Sequence, residues 1–402
     1  MKPLRVCLVS GTYPPSHCGV GDYTELLAEA LAERGAKVSV VTSSYLGTKP
    51  CLSNPTVLPI VNSWELSGIL NVLQCILQTR PDIVHFQFPT TEYHSHRLFD
   101  LLVPLLRLWP KAAKLVVTLH EPIIVRKSFV PGFFRPLRHW LSSTWANAII
   151  VVDQSYLESF SRISRRMRRM PCKVIPIASN IPVSEMRLDD LENLREQIGM
   201  AKKRVILLSY FGFIQPRKGF EQVLEVLRIL RNREVPVELI VLGQLSESNP
   251  YHRELLMRLV KERLERFVKV LGHLDRHAVA DYLAMSDVCV LPYIDGVHPK
   301  RGSFLAATQQ GILTVTTSTA KTGLFPNENV YYAMPGDVED MAKAVQLYTG
   351  RRVPRGSFPW RNWKLVADEH LELFNRIGPR SRGYWHFLTF WRKGSDASSD
   401  KE

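Results

Sequence analysis

The chain has 402 residues, 45% of them apolar and 22% charged, which excludes a disordered or fibrous protein and exceeds what one ordinary core of roughly 100–200 residues needs. A formal charge of +14 calls for an anionic partner, and charge alone leaves nucleic acid, an anionic bilayer and phosphorylated substrates all open. Six cysteines without metal-ligand spacing, with Cys7 and Cys289 inside apolar runs, fit reduced thiols in a cytoplasm and not a disulfide framework.

In chain order, Met1 to Arg5 leads directly into an apolar strand over 4–9, with no signal-peptide apolar region behind it. A turn-rich loop, Thr12 to Gly21, follows. Tyr23, Leu26, Leu27, Ala30 and Leu31 then recur at the spacing of an amphipathic helix that Gly35 closes. Val38 to Thr42 is the next strand, so this opening is a strand, helix, strand crossover of the kind that builds a parallel sheet. Apolar strands continue over 83–88, 115–119, 148–152 and 174–177. The apolar run from Leu98 to Trp109 is broken by Asp100, Pro104 and Arg107, and no run reaches the roughly 20 residues of a membrane-spanning helix.

A polar, mostly helical stretch over 183–203 separates this half from a second alternation. Strands are expected over 205–209, 237–242, 268–271, 288–291 and 313–317, with helices over 220–230, 252–264, 278–284 and 304–310. The expected organisation is an α/β domain over 1–185, a second α/β domain over 186–360, a final helix over 361–377 and a basic, aromatic tail over 378–402, partly disordered.

Open parallel sheets bind ligands beyond the carboxyl ends of their strands, so chemistry is sought in the loops that follow strands. Gly19 and Gly21 precede the first helix. They either let its amides approach an anion or a sugar, or simply provide the dihedral angles of a turn. In the second half, Gly212 to Gly219 carries Arg217 and Lys218 at a helix start, where the helix dipole disfavours cations unless an anion offsets them. The segment from Pro292 to Gly311 holds Asp295, a candidate contact for sugar or acceptor, then Lys300, Arg301, Gly302, Ser303 and Phe304. Cations ahead of free helix amides describe a diphosphate cradle, and a basic loop with an ordinary serine cap is the plainer alternative. His120 and Glu121 lie just past a buried strand, where an imidazole can bond a ligand hydroxyl or serve structure alone, whereas His85 inside its strand reads as structural. Five arginines over 162–169 and the aromatic stretch over 384–393 are either solvated surface or contacts with anionic lipid.

These stretches, taken together, resemble the retaining GT-B glycosyltransferases of family 4. The match is carried by Tyr13-Pro14-Pro15 with Gly19-Val20-Gly21-Asp22-Tyr23, Asp82-Ile83-Val84-His85, Val117-Thr118-Leu119-His120-Glu121, Gly212 with Lys218-Gly219, Leu239 to Gly243, Ser286-Asp287-Val288, Gly311 to Val315 and Pro335-Gly336-Asp337. They cover nearly the whole chain in the family's order.

The resemblance implies two doubly wound, Rossmann-like domains facing each other across a cleft, with the final helix crossing back to the first. It implies a nucleoside diphosphate sugar as donor substrate, a sugar or lipid-linked acceptor and no cofactor or metal; no nucleic acid is expected, and peripheral contact with the inner face of an anionic membrane is one of the two readings of the basic and aromatic stretches. Lys218 is similar to the family's phosphate lysine, His120 to its histidine beside the reacting sugar, and Gly19 and Gly21 to its loop near phosphate and acceptor. Two departures stand out: the family's paired glutamates fall at His298 and Ala306, and its first phosphate arginine falls at Phe213. Arg217, Lys300 or Arg301 can replace that arginine.

The reading is therefore a transfer of a glycosyl group to an acceptor hydroxyl in polysaccharide or glycolipid synthesis. A catalytically weak nucleotide-sugar-binding or assembly subunit is the alternative. A dinucleotide oxidoreductase is disfavoured because no Gly-x-Gly-x-x-Gly follows the first strand.

Overall fold

The computed structural model describes residues 2–16, 18–88, 102–108, 113–120, 144–161, 170–199, 205–298, 300–359 and 361–378, and divides the chain into two compact units. The arginine run over 162–169, the residues Glu121 and Pro122, and the aromatic tail lie outside the described residues.

The first unit runs β1 (Arg5–Val9), α1 (Gly19–Glu33), β2 (Lys37–Ser43), β3 (Thr56–Val61), α2 (Leu66–Thr79), β4 (Ile83–Phe88), α3 (Leu102–Leu108), β5 (Lys114–Leu119), β6 (Ala148–Val151), α4 (Gln154–Ser161) and β7 (Cys172–Val174). Its sheet has the order β3-β2-β1-β4-β5-β6-β7, every pair parallel. Burial on both faces explains why β4 and β6 are buried at every position; β6 reads as an unbroken apolar run and β4 as one interrupted only by His85 and Gln87. β7 forms earlier than the 174–177 read from the sequence, because Ile175 donates the last bond to Val151 and Pro176 has no N–H to continue the ladder. β3 carries Pro59, which an edge strand tolerates.

The second unit runs α5 (Leu188–Gln197), β8 (Ile206–Phe211), a 3-10 turn (Pro216–Lys218), α6 (Phe220–Asn232), β9 (Val237–Leu242), α7 (Pro250–Lys261), β10 (Val268–Val270), α8 (Arg276–Met285), β11 (Val288–Leu291), α9 (Gly302–Gln309), β12 (Leu313–Thr317), β13 (Gly323–Phe325), β14 (Val330–Ala333) and α10 (Val338–Tyr348). Side-chain caps set several helix starts: Asn249 bonds Tyr251 N and His252 N ahead of α7, and Asp275 bonds His277 N and Ala278 N ahead of α8. The sheet order is β10-β9-β8-β11-β12-β14-β13, parallel except for the β13–β14 pair.

Each sheet reverses its winding once, between β1 and β4 in the first unit and between β8 and β11 in the second, and such switch points are where ligands enter doubly wound sheets. The same device ties the two central strands together at their amino ends. Asp82 precedes β4 and accepts from Arg5 N at 3.0 Å; Asp287 precedes β11 and accepts from Leu207 N at 2.8 Å while pairing with Arg195 at 2.9 Å. These aspartates explain two of the family-like motifs as scaffold.

After the second unit, α11 (Trp363–Ile377) rejoins the first and packs on α1. Tyr23 Oη lies 3.2 Å from His370 Nε2, and Arg34 pairs with Asp368 at 2.7 Å. The forward division falls at Ile177/Ala178, ahead of the 185/186 read from the sequence. Gln310 accepts from Ser184 N at 2.9 Å and donates to Pro182 O at 2.8 Å, so this connection belongs to the second unit. Among the described residues no helix is long and apolar enough to cross a membrane.

Candidate functional site

In the second unit, the loops after β8 and β11 meet at the switch point. Gly219 sits at φ 70°, and a Cβ there would strike Pro292 O, so only glycine lets the two loops touch. Beyond Pro292, a turn closed by Gly296 N to Tyr293 O at 3.1 Å folds the loop back, and Arg301 N donates to His298 O at 2.9 Å. α9 starts at Gly302 with Arg301 in the cap position, two residues before the helix read from the sequence. Ser303 is therefore no cap: its hydroxyl lies 2.8 Å from the phenol of Tyr293. Gly212 faces the same hydroxyl, with a Cβ position 3.4 Å from Ser303 Oγ.

Tyr293, 1% exposed, is the hub of this arrangement. The Lys218 ammonium stands 5.3 Å from its ring centre and the Arg301 guanidinium 4.7 Å. A ring face attracts one cation by about 0.5–2 kcal/mol, depending on desolvation, but it does not cancel the repulsion between two. Asp295 moderates that repulsion by accepting from Arg301 Nη2 at 2.7 and 2.9 Å. With Asp295 about half exposed, the pair itself contributes only ~0–1 kcal/mol. Arg301 Nε is buried without a partner. Burial, followed by the charge of Arg301, lowers Lys218 to about 8, with Asp295 opposing the shift. Two cations against one carboxylate, with a guanidinium N–H left over, make a place for an anion.

The remaining sequence candidates divide. Of the three cations offered for the family's missing arginine, Arg301 is the one that lies on Tyr293 beside Lys218, while Arg217 is exposed and takes part through its carbonyl, 3.5 Å from Ile294 N. Lys300 is half-buried, and Phe304 is buried in α9. At the two glutamate positions, His298 is exposed with Nε2 3.7 Å from Asp295, and Ala306 is fully buried. Phe213 is 59% exposed.

In the first unit, His120 follows β5, its N–H donating to Phe88 O at 2.7 Å. Its Nε2 lies 2.9 Å from Gln87 Oε1, and its ring meets Tyr23 edge-on at 4.6 Å. Gln87 Nε2 faces His85 Nε2 at 3.5 Å, and that nitrogen is 2.6 Å from Thr118 Oγ1. The His85 and His370 rings are 5.5 Å apart. Burial, reinforced by the neighbouring imidazoles, pushes His85 well below its usual range and His120 down to about 3, so both are neutral near pH 7. His85 Nδ1 is buried without a partner, a penalty of about 1–3 kcal/mol that the fold carries. Neither Gly19 nor Gly21 adopts a positive φ. A Cβ on Gly21 would sit 3.2 Å from Tyr13 N, so Gly21 serves the close approach of α1, while nothing stands within 4 Å of a Cβ on Gly19.

The sequence assigns no role at a site to Tyr293, Gln87 or His370, and marks Tyr23 only as a helix position and part of a family-like motif. Gln87 had a signal: two residues from His85 on one strand, it must share that residue's face. His370 had none, since it sits among the apolar positions of an amphipathic helix.

The family model described as Glycosyltransferase Family 4 matches residues 18–178, and the one described as Glycosyl transferases group 1 matches residues 204–349. The uncharacterized glycosyltransferase YqgM of Bacillus subtilis (strain 168) is 23% identical over 279 residues, which span 65% of this chain and 71% of that protein. Anabaena Alr3699/HepE in complex with UDP-glucose superposes with a TM-score of 0.63 at 17% identity, covering 93% of this chain and 98% of that one. Sucrose-phosphate synthase from Thermosynechococcus elongatus gives 0.62 at 16%, covering 98% and 100%. At these identities the structural likenesses show a shared fold.

Proposed function

The chain is a GT-B glycosyltransferase of the group 1, family 4-like type, and from that premise we propose that it transfers a glycosyl group, with retention, from a nucleoside diphosphate sugar to an acceptor hydroxyl in polysaccharide or glycolipid synthesis. The observation that carries the reading is the convergence of Lys218 and Arg301 on Tyr293 at the β8/β11 switch point, beside the start of α9. A diphosphate fits a place with two cations and a guanidinium N–H in need of an acceptor.

In this reading the bond from the sugar's anomeric carbon to the diphosphate oxygen breaks, one to the acceptor oxygen forms, and the acceptor's hydroxyl proton passes to the departing diphosphate. Lys218, Arg301 and the first amides of α9 carry the charge that develops on the departing nucleotide. The reading requires no metal, so enzyme treated with EDTA should keep its activity. His120, neutral near pH 7, positions the sugar through a hydroxyl. Asp295 accepts from Arg301 Nη2 and so offsets part of the repulsion between the two cations. Anabaena Alr3699/HepE, whose fold this chain shares, forms a complex with UDP-glucose, which makes UDP-sugars the first donors to try.

The absence of carboxylates at His298 and Ala306 favours a second reading, a catalytically weak subunit that binds nucleotide sugar without fast turnover. Incubation with UDP-, GDP- and ADP-sugars, following nucleotide release and the anomeric configuration of the product by NMR, separates the two. Turnover with the donor's configuration retained supports the proposal; tight binding with no release supports the second reading; an inverted product overturns the retaining assignment.

A further inference from the structure

We propose that Gln87 is a positioning residue, one that holds His120 in the tautomer with its proton on Nε2 and so leaves Nδ1 as an acceptor for a hydroxyl of the transferred sugar. This deepens the proposed function and rests on its placement of His120 beside that sugar.

Gln87 is completely buried in β4, on the same face as His85. The register Phe88↔Leu119, with His120 N donating to Phe88 O at 2.7 Å, fixes the start of the loop after β5 beside the end of β4. The backbone of His120 is thereby held beside Gln87. Gln87 Oε1, 2.9 Å from His120 Nε2, can only accept, so Nε2 carries the proton. The other end of the carboxamide faces His85 Nε2 at 3.5 Å, a nitrogen that also meets Thr118 Oγ1 at 2.6 Å. Tyr23, edge-on to His120 at 4.6 Å, opposes a ring flip that would carry Nε2 away from Gln87, and the Tyr156 phenol donates to the backbone carbonyl of His120 at 3.5 Å.

A neutral imidazole with a lone pair at Nδ1 accepts from a hydroxyl and repels a phosphate oxygen. The first unit is thereby matched to sugar. Among the described residues, the titratable groups facing His120 are His85 from β4, His370 from α11, Tyr23 from α1 and Tyr156 from α4.

The test is long-range proton–nitrogen NMR of the full-length protein labelled at histidine, with His120→Gln assigning the signals. The expected wild-type spectrum shows His120 protonated at Nε2 alone. Gln87→Leu should mix the tautomers and lower kcat by about tenfold while donor affinity stays within about twofold. Gln87→Glu keeps an oxygen acceptor and should restore the tautomer. Its carboxylate also raises the imidazole's proton affinity, so its activity should fall from pH 7 to pH 5, where wild type stays level. A wild-type signal with the proton on Nδ1, or a folded Gln87→Leu protein with its spectrum unchanged and its activity lost, overturns the proposal. The spectra need no substrate, so a protein that turns over no donor would defeat the functional reading while leaving the tautomer assignment to be judged on its own.

Discussion

Burial is put to different uses in the two units. Around His120 it removes charge: His85 and His120 are held neutral, and they meet glutamine, threonine and tyrosine through bonds that neutral groups can make. Around Tyr293 burial is only partial, so Lys218, lowered to about 8, still carries its proton at pH 7 and stands with Arg301 against the single carboxylate of Asp295. The contrast teaches how similar sheets with similar switch points can serve different chemistry. The polarity of one or two loops decides whether a strand end suits hydroxyls or phosphate.

The largest expected effect tests the charged side. Lys218→Ala should lower kcat/KM for the donor by about 10²- to 10³-fold, the usual loss when one preorganised charge-stabilising donor is removed. His120→Ala should instead lower kcat by about tenfold and leave donor affinity nearly unchanged, since a neutral bond to one hydroxyl is lost. If calorimetry shows both substitutions abolishing donor binding equally, the division between the units is wrong.

Titration should separate the units further. In the unfolded chain the imidazoles take up protons as pH falls through 6.5, whereas folded His120 stays neutral until about 3 and His85 is held well below its ordinary value. Stability of the first unit is therefore present above 6.5 and lost progressively below it, which thermal melts across pH will register. Donor kcat/KM should fall on the other side, as Lys218 loses its proton above about 8.

Asp295→Asn is the smallest change. Releasing Arg301 from a half-exposed partner should tighten donor binding by up to about fivefold. A weaker donor or a fall in kcat would mean that the carboxylate touches the sugar after all.

Much of this was legible in the sequence because strands buried on both faces announce themselves as apolar runs. The strands over 83–88, 237–242, 288–291 and 313–317 appear with those limits. β13 and β14 are not legible because they are short and separated by Pro326 and Asn329, nor is β3, because Pro59 within it and Pro55 just before it obscure the pattern of an edge strand. At the site, Lys218, Arg301 and Ser303 could be named because glycines and cations after a strand have a physical meaning. Tyr293 and His370 could not, since nothing in an aromatic or a histidine near apolar residues distinguishes a hub from ordinary core. Their roles come from what the sheet and α11 bring next to them.

The central claim, that the loops after β8 and β11 form a nucleotide-sugar site, is tested most directly by calorimetric titration of wild type and Lys218→Ala with UDP-, GDP- and ADP-sugars at pH 7. The account predicts that one donor binds wild type and that Lys218→Ala, with its melting temperature unchanged, loses that binding. A donor that binds both proteins equally, or a wild type that binds none, would contradict it.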